Sequence, residues 1–96
     1  MIKHIVFWRF APENKSENMQ KARDMLLALP AVVPEICTFE VGQNCSDGEF
    51  AYDMALMSTF NDAESLERYQ QNPDHRQVSA FIRSVISERA VVDYDA

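Results

Sequence analysis

Residues 2–10, Ile-Lys-His-Ile-Val-Phe-Trp-Arg-Phe, constrain the fold more than any other stretch of the chain. Their richness in Ile, Val, Phe and Trp is that of a β-strand. One parity holds Ile2, His4, Val6, Trp8 and Phe10, and the other holds Lys3, Ile5, Phe7 and Arg9. Successive side chains of a strand point to opposite faces of its sheet, so both faces here carry large apolar groups. A sheet built around this strand needs a cover on each side.

The remaining elements follow in order. Pro12 closes the first strand, and Asn14 stands three residues before Glu17, the spacing of a helix start with reciprocal capping. Met19, Ala22, Met25, Leu26 and Leu29 then recur at helical spacing until Pro30. Residues 35–42 predict a second strand, with Cys37, Phe39 and Val41 on one parity, and the segment from Gly42 to Gly48 predicts a turn. A third strand is expected over 49–60, alternating Phe50, Tyr52, Met54 and Leu56 against Ala51, Asp53, Ala55 and Met57. Asn61 and Glu64 repeat the capping spacing and open a helix over Ala63, Leu66 and Tyr69. Asn72-Pro73 breaks it, because proline disfavours helical geometry in the residue before it. Pro73 suits the first position of a new helix, whose apolar stripe is Val78, Phe81, Ile82 and Val85. Arg89 to Tyr94 reads as a closing strand. The order is βαββαβ with the last helix in two pieces, a ferredoxin-like α+β arrangement with a four-stranded antiparallel sheet.

Ninety-six residues suit one domain, residues 1–96. Helices on one side of such a sheet leave the other side bare, and the bare parity here is apolar. At ~25 cal/mol per Å², an open face of several hundred Å² is costly to leave wet. A second copy related by two-fold symmetry is the simplest cover, so a homodimer is expected.

Charge and composition exclude other classes. The net charge of −6 opposes binding to a nucleic-acid backbone, which needs clustered Lys and Arg. The longest apolar stretch, Met25 to Val33, contains Pro30 and is too short to span a membrane. The apolar run at the N-terminus is broken at Arg9, with no small-residue cleavage site after it. Cys37 and Cys45, on a mostly extended segment, are expected as free thiols in a reducing cytoplasm. No Gly-rich phosphate loop, metal-ligand spacing or Ser-His-Asp order is present, so neither metal nor cofactor is implied.

Chemistry rests on few residues. His4 lies among Ile2, Val6 and Trp8, where a histidine reads first as a satisfied core residue. His75 begins the last helix, whose N-terminus favours the neutral imidazole that a general base requires. Taken alone it reads first as a surface helix residue. Tyr69 ends the preceding helix, and the Asn72-Pro73 break could fold its phenol against the imidazole. Such a pair can orient a substrate oxygen and take a proton; the other reading is a packed ring with its hydroxyl in water.

Three segments carry a family resemblance: Ile2-Lys3-His4-Ile5-Val6, Ala51-Tyr52-Asp53-Met54-Ala55-Leu56, and Tyr69-Gln70-Gln71-Asn72-Pro73-Asp74-His75. With Val91-Val92-Asp93-Tyr94, they make the chain resemble the stress-responsive dimeric α/β-barrel domain family over essentially its whole length. The resemblance implies ferredoxin-like dimers whose sheets close into a shared barrel, mostly without an assigned biochemical role. A plant polyketide cyclase of that family works without a cofactor. By resemblance its catalytic histidine and tyrosine fall on His75 and Tyr69, and a histidine near its pocket falls on His4. The implied pocket lies between sheet and helices, with His4, Val6, Trp8, Leu56 and Val78 as binding residues. It would take a small apolar or aromatic ligand. Asn72 replaces the first histidine of the family motif, and Trp8 is larger than its counterpart in the cyclase, so the indole either lines the pocket or fills it. Two readings stand: a cofactorless binder or enzyme using the Tyr/His pair, and a non-catalytic stress-associated homodimer.

Overall fold

A computed structural model describes all 96 residues. The elements are β1 (Ile2–Phe10), α1 (Lys15–Leu27), a short 3-10 turn (Leu29–Ala31), β2 (Thr38–Gln43), β3 (Met54–Phe60), α2 (Ala63–Gln71), α3 (Pro73–Val85) and β4 (Ile86–Asp95). The four strands form one sheet in the order β2-β3-β1-β4, every neighbouring pair antiparallel. This is the ferredoxin-like fold expected from the element order.

Cross-strand register extends the two parities of β1 across the sheet, since paired residues share a face. Val6 stands between Leu56 and Val91, and Trp8 between Met54 and Arg89. This parity packs against the helices: Val6, Trp8, Phe10, Met54, Leu56 and Phe60 form one buried cluster with Leu26 of α1, Tyr69 of α2 and Val78 and Ile82 of α3. On the opposite face Ile5 stands between Met57 and Val92, and Phe7 between Ala55 and Ala90. No helix covers this face; Phe7, Met57 and Val92 are 40%, 45% and 56% exposed. No helix is long and apolar enough to cross a membrane.

Several boundaries differ from the sequence reading, each for a local reason. β3 begins at Met54 rather than at residue 49. Asp53, just before it, keeps backbone bonds to Trp8 and Asn44, while its Oδ2 accepts the Phe10 backbone N–H at 2.8 Å and its Oδ1 pairs with Lys15 Nζ at 2.9 Å. That clamp ties the end of β1 to the start of α1; Phe50, ahead of it, is on the surface, 83% exposed. Asn14 makes no side-chain cap; it takes a left-handed turn at φ 51°, a conformation asparagine tolerates. At α2 the cap is Asp62 rather than Asn61, with Oδ1 accepting the Ser65 N–H at 2.8 Å. β2 spans Thr38–Gln43 rather than 35–42, and β4 begins at Ile86, directly after α3.

Candidate active site

A single residue, Asn72, separates α2 from α3. Its backbone is extended (φ −61°, ψ 132°), as a residue before proline prefers, and its Oδ1 accepts the Asp74 N–H at 2.8 Å. This sharp joint sets the last turn of α2 against the first turn of α3. Tyr69 and His75 are consequently in contact, with ring centroids 4.2 Å apart and their planes tilted by 44°.

Tyr69 is fully buried, its ring against Phe60 at 4.9 Å and His4 at 6.1 Å between centroids. Neither its hydroxyl nor Nδ1 of His75 has a hydrogen-bond partner. A buried polar atom without a partner costs ~1–3 kcal/mol, and here two such atoms belong to adjoining rings. Burial pushes the Tyr69 phenol above its ordinary value of 10.0, only partly opposed by the Arg89 charge. The hydroxyl therefore stays protonated and is a donor near neutral pH. Burial lowers the His75 imidazole below its ordinary 6.5; the Gln70 carbonyl works against this, and the charges of His4, Arg89 and Arg83 add to it. A neutral base beside a protonated phenol is a pair able to move a proton.

His4 is buried on β1, and its Nδ1 is hydrogen-bonded to the carboxylate of Asp93 on β4. Ser58 donates its hydroxyl to the His4 carbonyl at 3.1 Å.

Tyr69, His75 and His4 line one small cavity between the sheet and α2–α3, together with Val6, Trp8, Leu56 and Val78. All seven residues singled out in the sequence thus meet at one place. The cavity volume is 30 Å³, room for about one water molecule, whereas small-molecule pockets run to ~300–1,000 Å³. Trp8, 4% exposed, forms part of its wall. His4, His75, Ser79, Arg83 and Arg89 also line an outer vestibule of 520 Å³. No group of three His, Cys, Asp or Glu side chains converges as a metal site would.

Sequence reasoning missed Asp93, Arg83 and Arg89. Pairing the first and last strands end to end places Ile2 opposite Asp95, and hence His4 opposite Asp93 and Trp8 opposite Arg89. That antiparallel register was the signal available.

The sequence matches the family described as Stress responsive A/B Barrel Domain over residues 2–96. It is 28% identical over 100 residues to an uncharacterised protein of Streptomyces coelicolor, covering 99% of each chain. A solved structure of a dimeric, ferredoxin-like protein of unknown function from Bacteroides fragilis is 30% identical, with a TM-score of 0.90 over 99% of this chain and 95% of that one. A dimeric ferredoxin-like protein of unknown function from Thermobifida fusca is 25% identical, with a TM-score of 0.89 over 99% and 90%.

Proposed function

Since this chain belongs to the stress-responsive A/B barrel domain family, we propose that it forms a homodimer in which each protomer carries a cofactor-independent proton-transfer site built on Tyr69 and His75. The observation carrying this reading is the contacting pair itself: two buried polar atoms, on adjoining rings, left without partners beside one cavity. In the proposed step His75 takes a proton from carbon next to a substrate carbonyl. The electron pair moves onto the carbonyl oxygen, and the Tyr69 hydroxyl donates a hydrogen bond to the oxygen as it gains charge. The ligand is small, apolar or aromatic at its reacting end, and reaches the pair by displacing the Trp8 indole.

Dimer formation draws support from the uncovered apolar face of Phe7, Met57 and Val92 and from the dimeric state of the similar proteins. Facing sheets would join into one barrel. A cytoplasmic setting is supported by Cys37 and Cys45, both exposed and free. The cavity volume of 30 Å³ favours a second reading, a stress-associated homodimer without catalysis, in which the Tyr/His pair only packs the helix joint.

Deuterium exchange at the α-carbon of short 1,3-dicarbonyl compounds separates the two. Acceleration by the wild-type protein, reduced about 10²–10⁴-fold in His75→Ala and weakened in Tyr69→Phe, supports proton transfer. Exchange no faster than in buffer removes it and leaves the non-catalytic dimer.

A further inference from the structure

The vestibule outside the Tyr69–His75 pair differs sharply in charge from the rest of the chain. The protein has 15 Asp and Glu against 9 Lys and Arg, yet the eight residues lining this 520 Å³ space include no carboxylate and three arginines, Arg76, Arg83 and Arg89. Arg9 and Arg68 are held in ion pairs with Glu88 and Glu35. The three vestibule arginines have no ion pair and make no side-chain hydrogen bond. All three are exposed on the wall of one space with their guanidinium donors free, so an anion entering it meets several unpaired positive charges at once.

Position gives the cluster its meaning. Arg83 on α3 and Arg89 on β4 line the inner cavity as well as the vestibule. The Arg89 charge reaches both rings of the Tyr69–His75 pair, and that of Arg83 reaches His75. The fully buried Tyr69, its hydroxyl unpartnered, lies at the inner end. Polar groups thus run from three guanidinium ions outside to a phenol and an imidazole inside. Ser79 sits along the way, lining both spaces.

We propose that the ligand of this site is a small organic acid whose carboxylate is held by Arg76, Arg83 and Arg89 in the vestibule while its carbonyl end reaches His75 and Tyr69. This deepens the proton-transfer reading and rests on it. Guanidinium groups present paired N–H donors that match a carboxylate in two-point geometry. The inner cavity is small, so the end that enters is short, and a 3-oxo acid is the shortest acid that carries a carbonyl with an acidic C–H between it and the carboxylate.

The test titrates the wild-type protein with acetoacetate and benzoylacetate, and with their methyl esters, while the His75 ring signals are followed by NMR. Saturable shifts are expected with the acids, at least about tenfold weaker with the esters and in Arg83→Gln/Arg89→Gln. Arg23→Gln, a substitution outside both spaces, should bind as wild type, and unfolding temperatures should show that each variant is folded. Esters binding as tightly as acids, or the double variant binding normally, overturns the carboxylate assignment and leaves proton transfer standing. Inorganic phosphate displacing the acids at equal or lower concentration overturns it in favour of a phosphate ligand. No shift with either acid also overturns it. Acid binding with no α-carbon exchange instead fails the proton-transfer reading, a result that the titration alone would not produce.

Discussion

His4 and Asp93 lie directly opposite one another on β1 and β4, and the buried imidazole is hydrogen-bonded through Nδ1 to the Asp93 carboxylate. The pair closes one edge of the sheet beneath Tyr69, whose ring meets His4 edge-on at 6.1 Å. The positions of the catalytic candidates therefore depend on a contact between residues 89 apart in the chain.

Asp93→Ala should destabilise the fold by ~1–3 kcal/mol, the cost of leaving a buried donor without its acceptor. For a chain of this size that is a fall in Tm of about 4 °C or more. Asp93→Asn keeps an acceptor oxygen and should recover most of the loss. Thermal unfolding of both variants checks this. Equal Tm values for Asp93→Ala and wild type would mean that His4 needs no partner there.

Trp8 decides how much room the site has. Its indole is packed between Met54 and Arg89 on neighbouring strands and borders the cavity. Trp8→Ala should cost ~3–5 kcal/mol through lost packing and the void left behind. Added indole should refill the void and raise the Tm of the variant, with no such effect on wild type. Failure of indole to raise it would show that the helices collapse into the gap, and that the site cannot open at this wall.

The uncovered face of the sheet makes a separate prediction. Phe7 and Val92 both point away from the helices, on adjacent strands. Light scattering of the wild-type protein at micromolar concentration should give about twice the 11.0 kDa chain mass. Phe7→Glu combined with Val92→Glu places like charges where two apolar faces would meet, and should yield monomers. A wild-type monomer would exclude the shared barrel.

How far the sequence foretold these features depends on the range of each interaction. The parities of β1 and the stripe of α3 are local patterns, and they lead directly to the sheet, its buried side and the helix break at Asn72-Pro73. The contact between Tyr69 and His75 was within reach because a single residue joins their helices. Asp53 was misplaced because its partners, Phe10 and Lys15, lie about 40 residues away, and alternation over 49–60 says nothing of a carboxylate clamp. The arginines of the vestibule form a cluster only across such a distance in the chain, and the β1–β4 register points to Arg89 alone. Arg76 and Arg83 lie on the polar side of an amphipathic helix, where any charge is unremarkable, until Arg89 is brought beside them by the turn from α3 into β4.

The last prediction concerns pH. The folded-state value of His75 lies below its ordinary 6.5, chiefly because burial disfavours the charged ring. Between 6.5 and that lower value the unfolded chain binds a proton that the folded chain does not, so stability rises with pH across the window. Its contribution is fully present above 6.5 and is lost as pH falls through the folded value. His75→Gln removes the group, so the variant should lack this part of the slope in denaturant titrations between pH 5 and 7. Proton transfer has the same dependence, because only the neutral ring accepts a proton. Exchange catalysed by wild type should be level near pH 7 and fall at acid pH, with a midpoint below 6.5. The raised Tyr69 phenol adds no loss up to pH 10, since it is still protonated there. A midpoint above 6.5 would mean that the base is stabilised as a cation, which burial among Arg83 and Arg89 does not allow, and would point to a different proton acceptor.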